Sequence, residues 1–304
     1  MATFEFREPP ILSRAEFDRA ALVRKDPDRL IAGWPSARVL LVDHRGQFPV
    51  NDDGTLRWVS AADLGAEPVP GAVFLGVAGS DRWALRVDEV PEPVAEPRSG
   101  ADKLTSDGAG LLATALGLLN WHRTTGYSPI DGKALELTQG GWLRRDPETG
   151  AEEYPRTDPA VIMVIHDGAD QVLLGRQTVW PDRWFSTLAG FVEPGESLEQ
   201  CVRREVFEEA GIHVHSPNYL GSQPWPFPRS LMLGFEAVGD PTAPLVLRDG
   251  ELGDARWFHR DEVLAALDRG GDWGAGDDDV PLKLPGSISI ARSLITAWAH
   301  APRP

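Results

Sequence analysis

The sequence predicts an α+β protein of two domains joined by a turn-rich connector. Three observations predict it. At 304 residues the chain exceeds the ~100–150 residues of a typical domain. Short runs rich in β-branched and aromatic residues, divided by Gly, Asp and Pro turns, recur in both halves. A loop that turns into a capped amphipathic helix stands at residues 190–212, and the chemistry is organised around it.

In chain order, a helix is expected at residues 14–22 behind a Ser13 cap, then strands near 39–42, 56–59, 73–77 and 83–87. Nothing in this stretch has catalytic spacing, so a scaffold or dimerising domain is expected. A proline- and glutamate-rich patch at 91–98 marks a linker or long loop. Leucines and alanines at helical spacing then run from Asp107 or Gly108 to Arg123. His122 has no ligand-type partner at i+3 or i+4 and is read as satisfying a helix terminus rather than binding metal. Residues 127–154 form a connector with turns at Asp131-Gly132 and Thr149-Gly150 and a hairpin near Gly141-Trp142. Beyond it come strands at 160–166, 171–177 and 185–189, a late strand at 255–258 and a final helix near 289–298. The acidic, glycine-rich stretch 271–279 reads as a solvated loop rather than a metal site.

Composition excludes several classes. No run approaches the ~20 apolar residues of a membrane-spanning helix, and the start MATFEFREPP lacks the apolar region of a cleavable signal, so a cytoplasmic location is expected. Cys201 is the single cysteine, which rules out an intramolecular disulfide and a cysteine-rich zinc site, and it reads as core packing. A formal charge of −16 argues against a broad nucleic-acid-binding surface. A phosphate substrate would then be received by bound metal and local arginines.

The stretch 190–212 reads GFVEPGESLEQCVRREVFEEAGI. Pro194-Gly195 turns the chain, Ser197 and Gln200 supply a capping box, and Gly211 supplies a left-handed C-cap to a helix at 198–210. Leu198, Val202, Val206 and Ala210 form its apolar stripe. Glu205, Glu208 and Glu209 fall at i, i+3 and i+4, and such like charges repel unless something positive sits among them. A divalent cation with oxygen ligands, Mg²⁺ or Mn²⁺, fits that need, while a solvated acidic face is the bland alternative. Arg204, four residues before Glu208, is placed to orient one carboxylate.

Gly190, Glu196, Arg204, Glu205, Val206, Glu208, Glu209, Gly211 and Ile212 meet every fixed position of G-x5-E-x7-R-E-U-x-E-E-x-G-U, with U a bulky aliphatic. This resembles the Nudix box. The resemblance implies an α/β/α sandwich with a mixed sheet and hydrolysis of a nucleoside diphosphate linked to another group. It also implies that Glu205, Glu208 and Glu209 are catalytic metal ligands, one of them a general base, with the Ala189 carbonyl as an extra ligand and Glu196 bracing the loop.

A second string, Ser222, Gln223, Pro224, Trp225, Pro226, Phe227, Pro228, Arg229 and Ser230, has three residues stiffened by a following proline. If extended, it places Gln223, Trp225 and Phe227 on one side, an aromatic wall suited to stacking a flat ring, with Arg229 near a phosphate; a packing loop is the alternative. The string resembles the signature of the NADH pyrophosphatase branch of the Nudix family. That resemblance implies hydrolysis of NADH, and less readily NAD⁺, to AMP and nicotinamide mononucleotide, with residues Ser222 to Arg229 contacting the dinucleotide. It further implies Glu251 as a late metal ligand, backbone contact from Ala291, Tyr154 and Phe191 lining the ring pocket, and a homodimer. The same chemistry would remove the NAD cap from the 5′ end of RNA. A non-catalytic nucleotide sensor is the rival from another class, although such a protein would be expected to lose a box carboxylate.

The family layout implies domains at 1–125 and 156–304 around a zinc-ribbon segment at 126–155. Here the ribbon is degenerate. Ser128, Asp131, Asp146 and Thr149 stand where thiolates would, so structural zinc is not expected.

Overall fold

The computed structural model describes residues 4–248, 250–269 and 280–302, so the expected acidic loop at 271–279 lies outside the described residues. Contacts divide the chain into two compact units. One comprises Ile11–Thr157 and Pro224–Ser230; the other comprises Met1–Pro10, Asp158–Gln223 and Leu231–Pro304. No helix among the described residues is long and apolar enough to cross a membrane.

In the first unit the elements are helix α1 (Pro27–Gly33), strands β1 (Arg38–Val42), β2 (Phe48–Pro49), β3 (Val59–Ser60), β4 (Val73–Ala78), β5 (Ser80–Arg86) and β6 (Val94–Ala95), then helix α2 (Ser106–Thr124). β3, β1, β5 and β4 form a sheet in that order, with β1 and β5 parallel. Its core stacks Trp34 and Phe74 edge-on against Trp83, with ring centroids 5.1 and 5.3 Å away.

The helix expected at 14–22 is absent. Asp18 Oδ1 accepts the Ala20 N–H at 2.8 Å, while the Asp18 carbonyl accepts from Val77 N at 2.7 Å. That side-chain turn, with Ala20 at φ 45°, competes successfully with helical bonds. The helix begins instead at Pro27, capped by Asp26, whose side chain accepts the Arg29 N–H. The strand expected near 56–59 is reduced to β3 and a lone bridge between Val50 and Leu56. α2 starts behind a Thr105 cap and is buried on nearly all sides through its middle.

The connector forms a three-stranded antiparallel sheet, β7 (Glu136–Thr138), β8 (Leu143–Arg145) and β9 (Glu152–Glu153). Ser128 Oγ accepts the N–H groups of Ile130 and Asp131 at 3.2 and 3.4 Å. Asp146 Oδ1 takes those of Glu148 and Thr149 at 2.8 and 3.0 Å. The Lys133 ammonium pairs with Glu148 and lies 4.0 Å from Asp131. Hydroxyl, carboxylate and ammonium thus close both turns.

The second unit is built on β10 (Asp158–His166), β11 (Gln171–Gln177), β12 (Leu188–Phe191), β13 (Val214–Trp225) as far as Gln223, β14 (Ser230–Gly239) from Leu231 and β15 (Leu252–His259), with helices α3 (Leu198–Ala210), α4 (Arg260–Asp268) and α5 (Ile290–Ala299). The sheet order is β13-β14-β10-β11-β15, with β12 also on β10. Alternate residues of β10 face opposite cores. Val161, Met163 and Ile165 pack with Cys201, Val202, Val206 and Ala210 of α3, whereas Ile162 and Val164 pack with Val263 of α4 and Leu294, Ile295 and Trp298 of α5. Two buried faces explain the continuous apolar run, and helices on both make the α/β/α sandwich. The strand expected at 185–189 is set later, at Leu188–Phe191, because Ser186 exchanges backbone bonds with Gly175 of β11. Arg260 is buried but satisfied, bonding Asp170 at 2.7 Å and the Trp298, Ala299 and Ala301 carbonyls at the end of α5.

Candidate active site

The box loop leaves β12 at Phe191 and enters α3 through a capping box. Ser197 Oγ accepts the Gln200 N–H at 3.3 Å, and Gln200 Oε1 accepts the Ser197 N–H at 2.7 Å. Gly211 ends the helix at φ 75°. Caps at both ends fix the axial position of α3, and with it the height of its carboxylates.

Arg204 organises those carboxylates more extensively than its spacing indicated. Its Nε and Nη2 donate to Glu196 at 3.1 and 2.6 Å, and its Nη1 donates to Glu205 and Glu208 at 2.9 and 3.0 Å. Nη2 also reaches the Phe191 carbonyl at 2.9 Å. One guanidinium therefore joins loop, strand end and helix. Glu196 additionally accepts the Glu193 N–H at 2.8 Å and braces the loop.

Glu205 lies against the strand end. A methyl group at Gly190 would fall 1.9 Å from the Glu205 carboxyl carbon, so the cradle exists only because residue 190 lacks a side chain. Burial pushes the Glu205 pKa up, and the Glu208 and Glu251 charges push the same way against Arg204. Hydrogen bonding to Arg204 holds Glu196 down to about 2. Burial, with Glu196 beside it, pushes Cys201 up to about 12; its Sγ faces the Phe191 carbonyl at 3.4 Å as a packed, unreactive thiol.

Glu208 is half exposed and Glu209 is buried at 4%. Ala189 sits in β12 opposite Ile162, next to the cradle. Glu251 is exposed just before β15, its carbonyl accepting from Thr178 N at 3.1 Å. Among the described residues no three acidic, histidine or cysteine side chains converge to metal-holding distance. Carboxylate donors, a glycine cradle and a partly buried glutamate whose charge is disfavoured first by burial and then by Glu208 and Glu251 nevertheless fit a hard divalent cation.

The second motif is arranged differently from a one-sided wall. β13 runs through Trp225 at the sheet edge, where prolines cost no ladder bond, and the chain then turns at 226–229. Gln223 is fully buried and donates to the Ile288 carbonyl at 2.9 Å, so its amide does not stand in solvent beside the rings. Trp225 and Phe227 pack edge to face at 4.9 Å, with the Arg98 guanidinium 5.9 and 5.3 Å from their centroids. Ser222, Pro224 and Arg229 are partly buried, Pro226 is buried and Pro228 exposed. Tyr154 and Phe191 are exposed aromatics, 61% and 59% accessible, in separate units. Ala291 is buried on α5, and its N–H is held by the Ser289 cap at 3.2 Å.

Sequence reasoning assigned no role to Asn120. It donates to the Pro226 and Pro228 carbonyls at 2.9 and 3.2 Å and accepts from Arg86 at 3.0 Å. Its place in the Asn120-Trp121-His122 string that closes the helix was the available signal.

The family model described as the NUDIX domain matches residues 156–275. A protein of Mycobacterium bovis described as "NAD-capped RNA hydrolase NudC" is 47% identical over 305 residues, 97% of this chain and 96% of that one. The Homo sapiens "NAD-capped RNA hydrolase NUDT12" is 35% identical over 268 residues, 85% of this chain and 54% of its own length. Among solved structures, a NUDIX hydrolase from Nitrosomonas europaea is 21% identical with a TM-score of 0.39, covering 45% of this chain and 79% of that one. With near-complete coverage at the first of these identities, and both motifs intact, the chain belongs to the Nudix family, in its NADH pyrophosphatase branch.

Proposed function

We propose that the protein hydrolyses the pyrophosphate of NADH and NAD to nicotinamide mononucleotide and AMP, on the free dinucleotide and on the NAD cap at the 5′ end of RNA. The observation that carries this reading is the intact carboxylate face of α3, with Glu205 seated over Gly190 and tied through Arg204 to Glu208. The names of the relatives favour the capped substrate alongside the free one.

Glu205, Glu208, Glu209, Glu251 and the Ala189 carbonyl would hold Mg²⁺ or Mn²⁺. When bound, the ion neutralises phosphate oxygens and acidifies an attacking water. Arg204 holds Glu205 and Glu208 toward one face, so their charges are gathered before substrate arrives. Glu208 or Glu209 accepts the proton as the water oxygen bonds to phosphorus and the bridging P–O bond breaks, leaving two monophosphates. Trp225 and Phe227, with Tyr154 and Phe191, offer faces to the flat rings, and Arg229 offers a charge to the phosphate.

The 126–155 ribbon holds without zinc, the 1–125 domain serves as scaffold, the protein works as a homodimer, and its single cysteine suits a reducing cytoplasm. The test is AMP release from NADH and from an NAD-capped transcript, with Mg²⁺ or Mn²⁺ and with EDTA. Metal-dependent release from either substrate supports hydrolysis. Binding without release under every condition would instead indicate a nucleotide sensor.

A further inference from the structure

We propose that Asn120 is the positioning residue of the aromatic turn, setting substrate affinity by holding Trp225 and Phe227 in place; this rests on the reading above, in which those rings meet the dinucleotide. The turn at 226–229 has a difficulty built into its sequence. Pro226 and Pro228 have no N–H to offer, so the segment lacks two of its backbone donors, and it folds back through the Phe227 N–H on the Trp225 carbonyl at 2.8 Å. The Pro226 and Pro228 carbonyls still need donors.

Asn120, in the last turn of α2, supplies both. Its two amide hydrogens go to the Pro226 and Pro228 carbonyls at 2.9 and 3.2 Å, bracketing Phe227. Its orientation is not interchangeable. Oδ1 accepts from Arg86 Nη2 at 3.0 Å, and Arg86 has only donors to give, so the amide oxygen must face Arg86 and the nitrogen must face the turn. Arg86 is itself anchored on the Asp43 carbonyl. A relay thus runs from β5 through α2 to the turn.

Phe227, one of the two rings the relay holds, is open to a ligand. Asn120, Phe227, Arg98 and Arg123 line one cleft of about 460 Å³. The Asn120 amide oxygen and nitrogen are both engaged, by Arg86 and by the turn, so its effect on a ligand is assigned to the two aromatic rings that the turn carries.

The test compares Asn120→Asp, Trp225→Ala/Phe227→Ala and the triple variant by steady-state hydrolysis of NADH, with cooperative unfolding as the control for fold. Aspartate keeps the shape and the Arg86 partner but removes both donors and sets an oxygen against two carbonyls. The expected result is a KM raised about tenfold with kcat within about threefold, and no further rise when N120D is added to the ring-deleted protein. An unchanged KM in N120D, or effects that simply add, would overturn the proposal. If the ring-deleted protein keeps the wild-type KM, the substrate role of the rings fails, and this proposal fails with it. Should N120D not fold, Arg86→Met carries the test, since it frees the amide to rotate; a smaller KM rise supports the proposal and an unchanged KM overturns it.

Discussion

At Gly190 the absence of a side chain decides where Glu205 stands, because a methyl group there would overlap the carboxyl carbon at 1.9 Å. The displaced atoms belong to the far end of a flexible side chain, so the fold can absorb the change by moving the glutamate away. Gly190→Ala is therefore expected to lower kcat for NADH about tenfold or more while changing unfolding free energy by less than ~1 kcal/mol. Parallel kinetics and urea unfolding check both halves. At this scale the box was legible in the sequence, because a loop, a cap and three carboxylates at fixed spacing leave little freedom. Gln223 and Ala291 were not, since burial of an amide against Ile288 and use of an N–H in a helix cap depend on which distant segment packs there.

Among the elements, the end of α2 and the ribbon are joined by His122. Arg144 Nε donates to its Nδ1 at 2.9 Å, so Nε2 carries the hydrogen and donates to the Gly141 carbonyl at 2.8 Å. It thus ties two segments together instead of satisfying a helix terminus. Burial, helped by the Arg144 charge and opposed by the Gly141 bond, pushes its pKa from 6.5 down to about 4. The unfolded chain then binds a proton that the folded one refuses, so this contribution to stability is complete above about pH 6.5, is lost as pH falls to about 4, and is flat below. Urea unfolding of the wild type and His122→Gln across that range is expected to show a shallower slope in the variant. The ribbon carries its own expectation. With Ser128 and Asp146 capping the turns and Lys133 between Asp131 and Glu148, metal analysis of purified protein should find far less than one zinc per chain, and stoichiometric zinc would contradict the closure. Strands such as β11 and the capped α3 were legible as local patterns. The helix expected at 14–22 failed because Asp18 spends its side chain on a turn and its carbonyl on β4, a partner nearly sixty residues away.

Over the whole molecule, the grouping of Met1–Pro10 with the Nudix unit had no signature in the sequence. It follows from Phe4 entering the core that also holds α5, and a single phenylalanine does not announce its destination. The charge of −16 was legible, and its consequence is a weak salt response. A protein neutralising 6–10 phosphates loses ~10³–10⁵ in affinity between ~50 and ~200 mM salt, whereas KM for an NAD-capped transcript is expected to change here by less than about tenfold. The central claim concerns the carboxylates of α3, and it is tested most directly by AMP release from NADH in saturating Mg²⁺ by Glu208→Gln. Glu208 is half exposed on a helix capped at both ends, so the variant should unfold like the wild type. The expected result is a loss of at least about a hundredfold in kcat. Release at the wild-type rate would contradict it.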